Sequence, residues 1–391
     1  MPVRRVLHVV RQYAPSIGGL ETYTREMAIR QRRRGIETEV LTLDRVFNPP
    51  AKELPRRETI DGVPVRRVGS IGGTRYFLPL VDPRSLRNVD LIHVHAIDPF
   101  FDMLAATRTL HGRPLVATTH GGFFHTDSYS RAKRLFFRTV TPASARAYAL
   151  LLANSANDAE TFTGLGPPVR LAPNAVVPLA DRPLTGPDLL ALGRLSENKR
   201  PDLLVDFMAA LARHRPAARL HIVGPDSAHT RDSLTAAARA RGVADRVTVH
   251  GFVDAATLSG ILGTCGYYVS ASRFEGFGMS LIEAMSAGLV PIVQDNAAFA
   301  ELVGAAGVGT LTDFAEPARA AADAAGAMAR VEAEDSSAGA AGGERRRAVA
   351  FSRHYDWDAL VDTVTALYET ALAGPRRSAT PEPMSRAGDA R

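Results

Sequence analysis

Short β-rich runs alternate with helical windows along this chain, and the alternation runs through twice. RRVLHVV, TEVLTLD, VPVRRVG, DLIHVHA, PLVATTH and LLANS read as strands before residue 160; DLLALGR, ARLHIVG, RVTVHGF, GYYVSAS and LVPIVQ follow after residue 185. Between them lie helical windows such as ETYTREMAIRQRRR, RPDLLVDFMAALARHRP and TRDSLTAAARAR. Strands separated by helices predict parallel sheets joined by crossovers. A polar, proline-rich stretch, VVPLADRPLTGPD (Val176–Asp188), separates the two series. It reads as a linker with a boundary near 178–186. The expectation is an α/β protein of two domains, each built on a parallel sheet. Ligands of such sheets bind beyond the carboxyl ends of the strands, so two domains facing across a cleft would share the site between them.

The 391 residues, 46% of them hydrophobic, suffice for two or three such domains. No run approaches the roughly 18 apolar residues that span a bilayer. The apolar run at the start breaks at Arg11 and reads as a first strand rather than a signal peptide. A single cysteine, Cys265, excludes an internal disulfide. A cytosolic location is expected. The net charge of +6 is uneven: residues 1–180 carry 25 Lys and Arg against 15 Asp and Glu, the remainder 22 against 26. A basic front half suits a phosphate-bearing ligand or an anionic membrane, or is simply a solubilising surface. VEAEDSSAGAAGGE (Val331–Glu344) reads as a flexible loop, and the stretch after Ala373 as a disordered tail, 374–391.

Chemistry concentrates where strands end. In SRFEGFGMSLIEAMSAG (Ser272–Gly288) a strand gives way to a helix through a glycine-bearing loop. The glycines admit close backbone approach, and the helix start offers N–H groups to a phosphate. Glu275 is placed to accept from sugar hydroxyls, Glu283 from vicinal hydroxyls such as a ribose. Ser280–Glu283 also has capping-box spacing, in which Glu283 only closes the helix end. In LALGRLSENKRPD, Arg194 and Lys199 share one strand-end loop. They are placed to grip a diphosphate, the arginine as a fork and the lysine as a point charge, or else to be solvated. Gly18 and Gly19 in QYAPSIGGLETYTREM open a helix but match neither the dinucleotide fingerprint nor the Walker pattern.

His120 ends a strand in ATTHGGFFHT, suited to a substrate hydroxyl, a proton, or a plain polar contact. His93 and His95 share one strand face, with no third metal ligand evident, and read as structural. YSRAKRLFFRTV reads as a basic helix carrying Arg131, Lys133, Arg134 and Arg138. Phe136 and Phe137 would either dip into lipid or be buried. Asp356 or Asp358, in RHYDWDALVDTV, reads as a helix cap rather than a metal ligand. No metal and no cofactor are expected.

Taken together, Glu275 and Glu283 with seven residues between them, Arg194, Lys199, the paired glycines and His120 resemble the retaining glycosyltransferases of family 4. The resemblance covers the chain to about Leu372. HVVRQYAPSIGGLE, TLDRVF, TTHGGFFHT, SRFEGFG, EAMSAGLVPI and YDW are similar to the α-mannosyltransferases of xanthan and acetan assembly. That resemblance implies the GT-B architecture. Its halves would be residues 1–180, completed by a last helix at about 352–372, and residues 181–350. It implies transfer of mannose from GDP-mannose to a cellobiosyl-diphosphate-polyprenol through an α-1,3 bond, in exopolysaccharide biosynthesis. The partners implied are a nucleotide sugar, a lipid-linked oligosaccharide and an anionic membrane surface, with the protein peripheral on the cytoplasmic face of the plasma membrane.

By position, the resemblance gives Arg194 and Lys199 the GDP diphosphate and Glu283 the ribose. Glu275 and the backbone of Gly276, Phe277, Gly278 and Met279 would hold the mannose, with Ser280 at the same helix start. His120 would contact the sugar near its reacting carbon, Gly18 and Gly19 the donor phosphates. Arg131, Lys133, Arg134 and Arg138 would face the membrane and acceptor. The pattern departs at APNAVVPL: many members have Asn-Gly, a hydrophobic residue and Asp, where Asn174 is followed here by Ala175, Val176 and Val177. Alternatives are a family 4 enzyme with another donor or glycolipid acceptor, a nucleotide-sugar epimerase or hydrolase, and a non-catalytic sugar- or nucleotide-binding protein. No helix-turn-helix, zinc or RNA-binding pattern supports a nucleic-acid partner.

Overall fold

The computed structural model describes residues 2–16, 18–47, 54–74, 76–120, 130–180, 183–338 and 343–373, without the side chains of 130–134, 156 and 338. The expected tail lies outside them. The chain divides into two compact units, Met1–Leu171 together with the chain from Val361, and Ala172–Leu360.

The first unit contains strands β1 (Arg5–Val10), β2 (Glu37–Leu43), β3 (Arg57–Ile60), β4 (Val63–Val68), β5 (Ser70–Gly72), β6 (Phe77–Pro79), β7 (Leu91–His95), β8 (Leu115–Thr118), β9 (Leu150–Ala153) and β10 (Val169–Leu171). Its helices are α1 (Gly19–Arg33), α2 (Pro99–Ala106), α3 (Arg108–His111), α4 (Ser130–Ala145) and α5 (Ala156–Phe162). Among the described residues the main sheet has eight strands in the order β10-β9-β8-β7-β1-β2-β4-β3, parallel except for β3 on β4. β5 and β6 form a separate antiparallel hairpin. β1, β7, β8 and β9 are buried on both faces, nearly throughout, because helices cover both. Leu7, Val9, Ile92, Val94, Phe100 and Phe101 fill one side of the sheet. Val10, Tyr13, Ala28, Val40 and Val65 pack on the other.

The second unit contains β11 (Asp188–Leu192), β12 (Leu220–Val223), β13 (Val247–Gly251), β14 (Cys265–Ser270), β15 (Val290–Gln294) and β16 (Thr310–Thr312). Its helices are α6 (Pro201–Leu211), α7 (Arg231–Ala240), α8 (Ala255–Leu262), α9 (Met279–Ser286), α10 (Ala297–Ala306), α11 (Pro317–Ala338) and α12 (Gly343–Ser352). The strand order β13-β12-β11-β14-β15-β16 is parallel throughout. The order reverses between β11 and β14, so their carboxyl ends form a topological switch point. Ala175 and Val176, where the sequence departs from the family pattern, are buried.

Helix α13 (Trp357–Ala373) begins with Asp356 as its cap, the carboxylate accepting from the Ala359 N–H at 2.9 Å. From Val361 onward it belongs to the first unit. There Asp362 pairs with Arg34 at 2.6 Å, and the Tyr368 hydroxyl meets His93 Nδ1 at 2.5 Å.

One expectation needs correction, and one open alternative is decided. Residues 331–338 are not a loop but the last turns of α11, held by the pairs Arg215–Glu332 at 2.8 Å and Arg345–Asp335 at 2.8 Å; residues 339–342 lie outside those described. The Arg345 side chain is fully buried and also donates to the carbonyls of Leu184 and Gly266. Of the two readings left open for Phe137 of α4, the structure takes the buried one: its ring packs 5.5 Å from that of Phe162.

Candidate active site

The two acidic residues and the lysine converge at the switch point of the second unit. β11 ends at Leu192, and its loop turns at Gly193 and Arg194 before reaching Lys199. This loop is stitched to the loop after β14. Asn198 Nδ2 donates to the Phe274 carbonyl at 2.7 Å, and the Arg273 N–H donates to the Asn198 carbonyl at 2.9 Å. The stitching delivers Lys199 Nζ to within 2.5 Å of Glu275 Oε1. Both side chains remain partly accessible, the lysine more than the glutamate. The neighbouring cation of the motif is used differently. Arg200 donates to the Ala271 carbonyl at 2.8 Å and to Gln294 Oε1 at 2.7 Å, tying the ends of β14 and β15 to the loop. Neither Asn198 nor Arg200 stands out in the sequence, because their partners lie more than 70 residues away.

A cleft beside this pair is lined by Gly193, Arg194, Leu195, Lys199, Pro201 and Ser270, among others. Arg194 is exposed and makes no ion pair among the described residues. It is a fork-shaped cation held over the same cleft as the lysine. Gly224 supports its turn: the Gly193 N–H donates to the Val223 carbonyl at 2.9 Å, and Gly224, at φ +151°, lies against the Gly193 carbonyl where a Cβ would overlap it.

The glycine loop closes the site's other side. Gly278, at φ +89°, is the N-cap of α9, and a Cβ there would meet Leu302 and Phe299. The helix therefore starts at Met279, and the capping-box alternative for Glu283 is not realised. No side chain caps this end, and Ser280 Oγ pairs instead with the Tyr268 hydroxyl at 2.8 Å. Glu283 is partly buried. Burial pushes its carboxyl up to about 7, against the pull of nearby Lys199. Gly276 is exposed on the loop and Phe277 half-buried, its ring 5.6 Å from Tyr355.

The raised Glu283 value fixes the sign of a pH effect. Folded, the carboxyl holds its proton more tightly than its ordinary value of 4.5 allows. Its contribution to stability is complete below that ordinary value and is lost as pH rises through about 7. A ligand diol donating to the carboxylate favours the ionised form. Affinity for a ligand that donates a diol to Glu283 is therefore expected to rise by up to about tenfold from pH 6 to pH 8 in titration calorimetry. A Glu283→Gln variant should bind more weakly with a flat profile; a slope retained in that variant would assign the titration elsewhere.

In the first unit, His120 sits at φ +50° with its N–H donating to Asn154 Oδ1 at 2.9 Å. The strained backbone is held by that bond and by Tyr23, whose ring lies edge-on at 4.6 Å. Strand pairing reveals what spacing concealed: β1 lies beside β7 with His8 opposite His93, so a third imidazole joins His93 and His95. One nitrogen from each lies within 4.8 Å of the others, and all of their ring nitrogens are engaged. His93 bonds Thr118 Oγ1 at 2.7 Å as well as Tyr368. Gln31 Oε1 can only accept, so His8 Nε2 donates to it at 2.9 Å. Neutral His8 then accepts at Nδ1 from His95 Nε2 at 3.0 Å, and His95 accepts at Nδ1 from His120 Nε2 at 3.4 Å. Burial keeps the chain neutral, with His8 lowered to about 4 and His120 to about 3. His120 is left with Nδ1 as a hydrogen-bond acceptor. A cation at the three histidines would have to displace these bonds.

Gly18 is the N-cap and Gly19 the first residue of α1, as expected, but the Glu21 carboxylate lies against Gly18 and already brings negative charge to that helix end. The side chains of Arg131, Lys133 and Arg134 lie outside the described residues; Arg138 is exposed on α4.

Residues 17–179 match the family model described as Glycosyltransferase Family 4, and residues 180–339 the model described as Glycosyl transferases group 1. The family models thus meet at 179/180, a few residues after the compact units part. Among curated proteins, the GDP-mannose:cellobiosyl-diphosphopolyprenol alpha-mannosyltransferase of Komagataeibacter xylinus is 40% identical over 94% of this chain and 93% of that protein. The protein of the same description from Xanthomonas oryzae pv. oryzae is 37% identical over 95% and 98%. Among solved structures, a sucrose-phosphate synthase from Thermosynechococcus elongatus superposes with TM-score 0.69 at 19% identity, covering 95% of this chain and 99% of that one. Anabaena HepE in complex with UDP and glucose gives 0.69 at 18%, covering 94% and 100%. These two share the fold, GT-B. With its two parallel-sheet units and relatives matched over nearly their whole length, the chain belongs to the family 4 glycosyltransferases, alongside the GDP-mannose:cellobiosyl-diphosphopolyprenol α-mannosyltransferases.

Proposed function

We propose that this protein transfers mannose from GDP-mannose to a cellobiosyl-diphosphate-polyprenol, with retention and through an α-1,3 bond, at the cytoplasmic face of the plasma membrane. The observation that carries the reading is the Lys199–Glu275 pair at the strand ends of the second unit, beside a cleft that Arg194 also lines. In the free protein Glu275 holds the lysine in place. When the donor binds, its diphosphate takes over Lys199 and Arg194, and Glu275 is released to accept from mannose hydroxyls. Glu283 takes the ribose diol. The N–H groups at the start of α9 face the phosphates.

The reaction breaks the bond between the mannose anomeric carbon and the diphosphate oxygen. It forms one from that carbon to an acceptor hydroxyl on the same face. The proton of the hydroxyl passes to the departing diphosphate. Negative charge on the diphosphate grows as the bond breaks, so the two cations act more strongly on the transition state than on bound donor. His120 keeps Nδ1 as an acceptor for a substrate hydroxyl. No helix among the described residues is long and apolar enough to cross a membrane.

The test is a donor screen with the purified chain: GDP-, UDP- and ADP-sugars against membranes containing lipid-linked cellobiose, with product mass and linkage determined. One mannose added from GDP-mannose in an α-1,3 linkage is expected. Transfer only from another donor, or release of free sugar or epimer without acceptor, would overturn the reading.

A further inference from the structure

In the first unit the β5–β6 hairpin is two-faced. Phe77 points inward, 6% exposed, with its ring 5.8 Å from that of Phe100 and 6.4 Å from that of Phe47. Strand alternation turns Tyr76, Leu78 and Leu80 to the other face. Ile71 is paired directly opposite Leu78. Hydrogen bonds from Leu80 N–H to the Gly69 carbonyl at 2.8 Å and from Gly73 N–H to the Tyr76 carbonyl at 2.9 Å extend the ladder across all four residues. Ile71, Tyr76, Leu78 and Leu80 are exposed by 65%, 62%, 58% and 54%. Four large apolar side chains on one uncovered face, above a core-anchored base, mark an interaction surface rather than scattered exposure.

We infer that this hairpin face is the element that enters the headgroup region of an anionic bilayer. Charge complementarity selects that occupant. The hairpin leads directly into Arg84 and Arg87, both exposed, in the part of the chain that carries the excess of basic residues. Exposed apolar side chains followed closely in the chain by exposed arginines suit an interfacial anchor, because the first gain from hydrocarbon and the second from anionic headgroups. A second exposed apolar pair, Leu135 and Val140, lies on α4, and α4 and β6 both pack on α2. The inference rests on the proposal that the acceptor is lipid-linked.

The experiment is sedimentation of the full chain with vesicles of phosphatidylcholine and phosphatidylglycerol, without donor or acceptor, at low and at high salt. The variants are Ile71→Ser/Leu78→Ser and Arg84→Gln/Arg87→Gln. The first is expected to lower the partition coefficient by about tenfold or more at both salt concentrations, since two apolar anchors are lost. The second should lower it at low salt only. Unchanged vesicle binding by the first variant, or no binding by the unaltered chain, would overturn the inference. So would a dimer of the unaltered chain in sedimentation equilibrium that the first variant abolishes, since the face would then belong to a second copy. Unaltered thermal unfolding of the first variant excludes loss of fold. Transfer to a short-chain, water-soluble acceptor should persist in it; absence of transfer by the unaltered chain as well would count against the proposed function and not against the hairpin.

Discussion

The Lys199→Ala variant is expected to lose about 10²–10³-fold in kcat, the cost of removing one donor to a developing oxyanion. Two effects add. The departing diphosphate loses a cation whose hold tightens as the glycosidic bond breaks. Glu275, which pairs with that lysine at 2.5 Å, also loses its partner, and Glu283 loses the charge that holds its carboxyl down. The loss should fall on kcat and on kcat/KM together, because transition-state stabilisation is removed rather than uniform binding. Arginine at the position should restore only part of the rate, because a planar fork does not replace a point charge in that space. Steady-state kinetics alongside thermal unfolding separate chemistry from folding. A kcat within twofold of the unaltered chain would remove Lys199 from the mechanism.

Gly224→Ala is expected to cost about 3 kcal/mol, lowering the unfolding transition of the second unit by about 6–12 °C. The residue sits at φ +151°, and a Cβ there overlaps the Gly193 carbonyl, which is backbone and cannot swing aside. Relief requires moving the Gly193–Arg194 turn, so donor affinity should fall as well. Gly304→Ala is the control: it lies within α10 with open space around it, and alanine there should be neutral or stabilising by about 0.5–1 kcal/mol. Equal melting of the two variants would show that the close approach of Gly224 to the turn is not real.

The sheets were legible because their strands are apolar runs between glycine and proline signals. The strands that escaped are short or polar: β10 and β16 have three residues each, and β3 reads Arg-Glu-Thr-Ile. The β5–β6 hairpin escaped because its outer face is apolar too, so no alternation of polar and apolar residues marks it. In the site, residue types and loop positions could be read, but not who touches whom. Lys199 meets Glu275 through Asn198 and Arg273, contacts created by the pairing of β11 with β14. His8 joins His93 only once β1 is laid beside β7. Glu283 looked equally like a cap because Ser-Leu-Ile-Glu has capping-box spacing. What decides against a cap is the backbone of Gly278, which starts the helix two residues earlier.

A crystal structure of the chain with GDP-mannose tests the account most directly. The account places diphosphate oxygens within hydrogen-bond reach of Lys199 Nζ and the Arg194 guanidinium, with the ribose diol on Glu283. A nucleotide bound with its phosphates away from both cations, leaving the Lys199–Glu275 pair intact, would contradict it.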